Sequence, residues 1–285
     1  MSNRDQDIKQ PDAVDGRAAE AFARGRSAEQ QGVYEEALVA YREALAGAPG
    51  QAEWWYRLGC VQRKQGDFGG AHEAFRKAVD LGGEDSRALT NLGTVLDELG
   101  RRAEAMQMYL RAIAADPLNA DAHHNLGALY AEEGRPRDAV RCFEAAIRAR
   151  PDAEGYLNLG MVHFRDDAYD EALSHFEQSI KLSPQSSAAQ YFTGIVLQKK
   201  GLYRDAAERF RKTLELDNKL VRAHFHLGTC LRKLEKHEES LASLLRALDA
   251  FPDDGRLHYQ LALTYDALLM RQEARKHYRL ARQER

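Results

Sequence analysis

Apolar residues recur along this chain at three- and four-residue spacing, in stretches of about a dozen residues separated by short polar breaks. That period is the one of amphipathic helices, and five of the breaks carry Gly32, Gly66, Gly100, Gly134 or Gly201, a residue that ends a helix cheaply. The pattern then repeats on a larger scale. Gly25, Gly59, Gly93, Gly127, Gly160, Gly194, Gly228 and Ala262 follow one another at 34 residues, with a single step of 33. Twelve residues after each stands Ala37, Ala71, Ala105, Ala139, Ala172, Ala206, Ser240 or Ala274. Four further on is a ring or a leucine: Tyr41, Phe75, Tyr109, Phe143, Phe176, Phe210, Leu244 or Tyr278. The spacing predicts two helices per period. They cross where both side chains are small, and the large residue fills the space beside the crossing.

The period "WWYRLGCVQRKQGDFGGAHEAFRKAVDL" (54–81) shows this most fully, and it resembles the tetratricopeptide repeat. The resemblance covers residues 18–285. It implies an all-α fold, a right-handed α-solenoid superhelix of eight helix-turn-helix repeats beginning at 18, 52, 86, 120, 153, 187, 221 and 255. Residues 1–17, rich in Asp, Pro and Gly, read as a flexible lead-in.

Composition narrows the function. A formal net charge of −3 argues against wholesale binding to nucleic acid or acidic membranes. The charge is uneven: residues 1–152 hold 20 Lys and Arg against 25 Asp and Glu, the remainder 21 against 19. No run approaches the length of a membrane span, and the N-terminus lacks a signal-peptide pattern, so a cytoplasmic location is expected. Cys60, Cys142 and Cys230 are odd in number and widely spaced, as reduced thiols would be. His123 and His124 point about 100° apart on a helix and cannot grip one ion together. No phosphate loop, zinc helix or nucleophile elbow is present. Neither a cofactor nor a catalytic site is expected, and function falls to the surface that stacked repeats expose.

In tetratricopeptide proteins one stripe of each repeat's first helix faces an inner groove, and three features of that stripe stand out here. At the sixth position Asn91, Asn125 and Asn158 form a short ladder, similar to the asparagine ladder in the superhelix of O-linked N-acetylglucosamine transferase. An amide donates and accepts, so such a ladder can pair with peptide backbone of any sequence. Arg57, Phe192, His226 and Gln260 take the position elsewhere. Repeats five to eight add an apolar strip: Leu157, Met161, Phe164, Tyr191, Ile195, Phe225, Tyr259 and Leu263. An exposed strip of this size calls for a cover, either a partner segment or the chain itself. Arg165, Lys199, Arg222, Arg232, Lys233 and Arg256 flank it. The N-terminal half is expected to be acidic through Glu53, Asp97, Glu98, Asp121 and Glu132, relieved by Arg63, Lys64 and Arg87, so that one long ligand could read both ends.

These residues predict a non-catalytic adaptor that holds an extended or partly helical protein segment with apolar anchors and acidic neighbours. A scaffold for a separately encoded glycosyltransferase and an RNA-binding helical repeat are the competing readings. The chaperone clamp of this repeat class is excluded, because the fifth and ninth positions of all eight repeats lack its Lys and Asn, then Lys and Arg. The last repeat has Arg275 and Arg282 where internal repeats present stacking leucines, which reads as a terminal cap.

Overall fold

The computed structural model describes residues 16–283. Every element among them is an α-helix, and the sixteen helices fall into eight consecutive pairs. The pairs are α1 (Gly16–Gln30) with α2 (Tyr34–Gly47), α3 (Ala52–Lys64) with α4 (Phe68–Gly82), and α5 (Ser86–Glu98) with α6 (Arg102–Ala115). Next come α7 (Ala120–Glu132) with α8 (Pro136–Ala149), and α9 (Ala153–Arg165) with α10 (Tyr169–Leu182). The last three are α11 (Ser187–Lys199) with α12 (Tyr203–Leu216), α13 (Arg222–Lys233) with α14 (His237–Ala250), and α15 (Gly255–Ala267) with α16 (Arg271–Gln283). Helix α1 starts at Gly16, and the rest of the expected lead-in, residues 1–15, lies outside the described residues.

Local chemistry sets the helix starts. Asp67, Asp85, Asp152, Ser186 and Asp254 each stand just before a first turn and accept a backbone N–H from it. The turn inside each pair needs a left-handed residue, and Gly32, Gly66, Gly100, Gly134 and Gly201 supply it with φ of 71–77°. Where glycine is missing, Asp167, Glu235 and Leu269 adopt the same conformation at φ 56°, 61° and 62°. For the bulky Leu269 this costs free energy.

Two compact units form, one up to Leu129 and one from Tyr130. In the first, α3 and α5 lie side by side as first helices, and α2 and α4 each pack on the first helix that follows. Its N-terminal core gathers Ala21, Ala37, Tyr41, Trp54 and Val61, with Phe22 stacked on Trp54 at 4.8 Å and 13°. In the second unit α9, α11, α13 and α15 are neighbours in one layer, while α10, α12 and α14 bridge successive members from the other side. Its core is a row of smaller clusters centred on Phe176, Phe210 and Leu244.

Six of the pairs close on the contact that the spacing predicted. A Cβ placed on Gly25, Gly93 or Gly160 would lie 2.5–2.6 Å from the ring of Tyr41, Tyr109 or Phe176, too close for any real methyl group. Gly59 and Gly194 meet Phe75 and Phe210 at 2.8 Å, and Gly228 meets Leu244 at 2.6 Å. These large side chains are essentially sealed from solvent, as are the alanines of the second series. Ser240 is a polar member of that series; it is buried, and its hydroxyl donates to the Gly228 carbonyl at 2.7 Å. In the last pair Ala262 takes the glycine's place, and Tyr278 is only half-buried.

Two substitutions test this account by urea unfolding. Gly160→Ala, which drives a methyl into the Phe176 ring, is expected to destabilise the second unit by about 1–3 kcal/mol. Leu269→Gly removes the strained backbone at a side chain 80% exposed and so without packing to lose. It should raise stability by about 0.5–1 kcal/mol.

Candidate functional site

The apolar strip of the second unit lies on the first-helix layer, and its members are neither fully open nor fully sealed. Leu157, Met161 and Phe164 rest on the cluster around Phe176, and Phe164 and Tyr191 also touch the cluster around Phe210. Phe225 rests on the Leu244 cluster. All five, with Leu263, are half-buried, and Tyr259 is 49% exposed. Ile195 departs from the expectation of an open position. At 9% exposure it belongs to the core, because α11 is packed on both sides and turns that face inward.

Much of the cover comes from rings at the sixth position. Phe192 stacks on Phe176 at 5.9 Å and 21°, and lies edge-on to Tyr191. His226 stacks on Phe210 at 5.3 Å and 20°, with Tyr191 and Phe225 edge-on to it. Each of these two sixth-position residues therefore caps the large residue of the preceding pair. The polar members do related work through hydrogen bonds. Asn125 Nδ2 donates to Thr94 Oγ1 at 3.2 Å, and Asn91 Nδ2 donates to the Arg87 carbonyl at 2.9 Å and toward Tyr56 OH at 3.4 Å. His226 Nδ1 meets Gln198 Oε1 at 2.8 Å, and Arg232 Nε donates to Gln260 Oε1 at 3.1 Å. Asn91 and Asn125 thus already use amide protons within the array, while Asn158, half-buried like them, is also engaged. These cross-repeat bonds were not legible in the sequence, since they join residues 28–35 apart that only stacking brings together.

The flanking cations are more accessible. Arg165, Lys199, Arg222, Lys233 and Arg256 are exposed, and Arg232 is held half-buried by Gln260. Arg165 stands beside a small hollow lined by Ala131, Pro136 and Val162, at the turn end of the layer. Arg256 and Tyr259 open onto a cleft of about 1090 Å³ at the other end, together with Phe225, Phe251, Tyr278 and Arg282. The corresponding face of the first unit is polar. Glu53 accepts from Arg57 at 2.9 Å and Arg87 at 3.2 Å, both guanidinium groups lie 5–6 Å from the Tyr56 ring centre, and Asp97 is 3.8 Å from Arg102. The acidity expected there is thus partly neutralised by arginine.

Family models match along most of this framework. A tetratricopeptide repeat model matches residues 124–187, the middle tetratricopeptide-like domain of cilia and flagella-associated protein 70 matches 21–150, and subunit 3 of the anaphase-promoting complex, cyclosome, matches 165–247. The chain is a tetratricopeptide-repeat protein. Among solved structures it is similar to YrrB, a tetratricopeptide protein with an unusual peptide-binding site, at 26% identity and TM-score 0.58, over 64% of this chain and 94% of that one. It also shares its fold with the C-terminal part of a repeat protein from Cytophaga hutchinsonii (16% identity, TM-score 0.66, 84% and 99% covered). PilF of Pseudomonas aeruginosa is a third such structure (19% identity, TM-score 0.65, 77% and 96% covered). No curated protein matches the chain closely enough to lend it a function.

The tetratricopeptide array carries no group of three or more potential metal ligands among its described residues. No described helix is long and apolar enough to cross a membrane. Its cysteines are free, and burial pushes the Cys142 thiol up to about 11 and Cys230 up to about 12, so both are held as unreactive thiols. The histidines of the second unit are the groups whose titration matters. Burial, reinforced by Arg222 and Arg256, pushes His226 down to about 4, and burial likewise lowers His175, His224 and His277.

A depressed histidine gives stability that is complete above its unfolded pKa of ~6.5 and is lost as pH falls toward the folded value. His226 alone should therefore cost the second unit roughly 2–3 kcal/mol between pH ~6.5 and ~4. In His226→Phe, which copies the residue at the same position of the preceding repeat, thermal melts across that range should show a flatter pH dependence than in the parent.

Proposed function

We propose that the protein is a non-catalytic adaptor and that the first-helix face of its second unit holds a flexible segment of a partner protein. The observation that carries this reading is the half-buried apolar strip from Leu157 to Leu263, bordered by exposed cations. Fully burying an exposed side chain of this kind is worth roughly 1.5–3 kcal/mol, and a partner recovers the part of it that the half-buried strip still leaves in water, so several anchors together reach micromolar affinity with a segment that must be ordered on binding. Arg222 and Arg256 beside Phe225 and Tyr259 favour acidic residues next to the anchors. The similarity to YrrB, whose description includes a peptide-binding site, supports the class of ligand. Scaffolding of a separately encoded transferase or binding of RNA has no comparable support in the residues of this face.

Selection of a displayed library of 16-residue segments against the whole chain tests the proposal. The expected winners carry two or more large apolar residues flanked by Asp or Glu, and bind the Tyr191→Ala, Phe225→Ala double variant at least about tenfold more weakly. Arg222→Glu should weaken them more in low salt than in high salt. Winners that bind the double variant as well as the parent would remove this face from consideration.

A further inference from the structure

Two imidazoles meet inside the α15–α16 pair. His258 and His277 are 5% and 7% exposed, and their Nδ1 atoms stand 2.9 Å apart. The Nε2 of His258 lies 2.8 Å from the Pro252 carbonyl. A carbonyl oxygen only accepts, so that nitrogen carries a hydrogen, as the indole Nε1 of Trp55 does at the same position of repeat two, where it donates to the Pro49 carbonyl at 2.8 Å. The neutral His258 ring then has its lone pair at Nδ1, and the hydrogen between the two rings belongs to His277. One hydrogen fits between nitrogens at this distance, and two do not.

The other repeats fill these two positions differently. Repeat six has Gln190 and Arg209, whose guanidinium donates to the amide oxygen at 3.1 Å, a bond indifferent to acid. Repeat eight alone has histidine at both. Tyr265 of α15 stacks on His277 at 5.3 Å and 23°. A hollow of about 230 Å³ adjoins the rings, with Leu248 contributed by α14, Asp253 by the loop before α15, and Lys276 by α16. Asp253 and Lys276 are the charged groups of that lining, one of each sign, so the hollow brings the rings no net counter-charge. Burial, then His258 and Lys276, pushes His277 below its ordinary value. Glu273 acts on Tyr265, and His224 of α13 answers to Arg246 of α14.

We propose that the His258–His277 contact is a proton-operated latch, which joins the loop before α15 to α15 and α16 near neutral pH and lets this helix pair open when both imidazoles are protonated. Opened rings take up two protons near pH ~6.5, the closed contact at most one, so opening binds at least one proton more and becomes easier as pH falls below that value. Helix α15 carries Arg256, Tyr259 and Leu263, and opening withdraws them from the first-helix face. The consequence for a ligand rests on the function proposed above, whereas the opening itself does not.

Amide hydrogen exchange of the whole chain, corrected for intrinsic rates, reads the opening with no ligand present. Between pH ~6.5 and ~5 the opening equilibrium of residues 255–283 is expected to rise at least about tenfold more than that of α11 and α12, which contain no histidine. His277→Gln keeps an amide donor for His258 Nδ1, and the double variant His258→Gln, His277→Arg copies repeat six. In both, the excess should fall to within about twofold, and because slopes with pH are compared, neither variant needs the parent's stability. In His226→Phe the excess should remain. Exchange of 255–283 that follows α11 and α12 in the parent overturns the proposal. So does an excess that survives in either latch variant or disappears in His226→Phe, since each assigns the proton to another group.

Discussion

The close approach of a first-helix glycine to a second-helix ring is the constraint from which the rest of this molecule follows. Gly93 and Gly160 leave no room for a methyl group above Tyr109 and Phe176, so the two helices of a pair meet at one height only. Fixing that height fixes the direction of every other side chain on the pair. Residues at the second, fifth, sixth and ninth positions of the first helix are then turned away from the second helix, toward the layer of first helices. The proposed binding face is a consequence of the crossing, and no residue on that face has to create it.

Contacts between repeats are of a different kind. They are made by planar or forked side chains that bridge about one period, such as His226 on Phe210 and Gln198, Phe192 on Phe176, or Asn125 on Thr94. These groups lie at the rim of the face. They serve the stacking and shape the exposed face together, which is why the strip is half-buried and presents edges of rings as much as their faces. In the first unit the same layer is held by charge, through Glu53, Arg57 and Arg87 around Tyr56. The two units thus offer chemically different faces built on one repeat.

Fold alone assigns no partner. Some 480 solved chains match it, and a likeness such as that to YrrB at 26% identity supports at most a class of ligand and names no partner for this chain. What distinguishes this array is local: the run of rings in repeats five to seven, the paired tyrosines of the last repeat, and the arginines that replace leucines on α16. Depressed histidines in the second unit add a second individual trait, since the packing that buries His226 also makes the face sensitive to acid.

The sequence by itself determined the repeat, the helix pairs and the crossing, because a 34-residue period of small and large residues admits one packing solution and the caps and turn glycines mark its joints. It also placed the strip residues on one stripe, since helical periodicity fixes direction. Only the tertiary structure decided how open that stripe is. Ile195 turned out sealed and Tyr259 half in solvent, although both occupy groove positions in their repeats, because exposure depends on what the neighbouring repeats lay over each residue. The sixth-position amides and the Tyr259–Tyr278 cleft were hidden for the same reason: their partners lie 19 to 35 residues away, and only stacking brings them within reach.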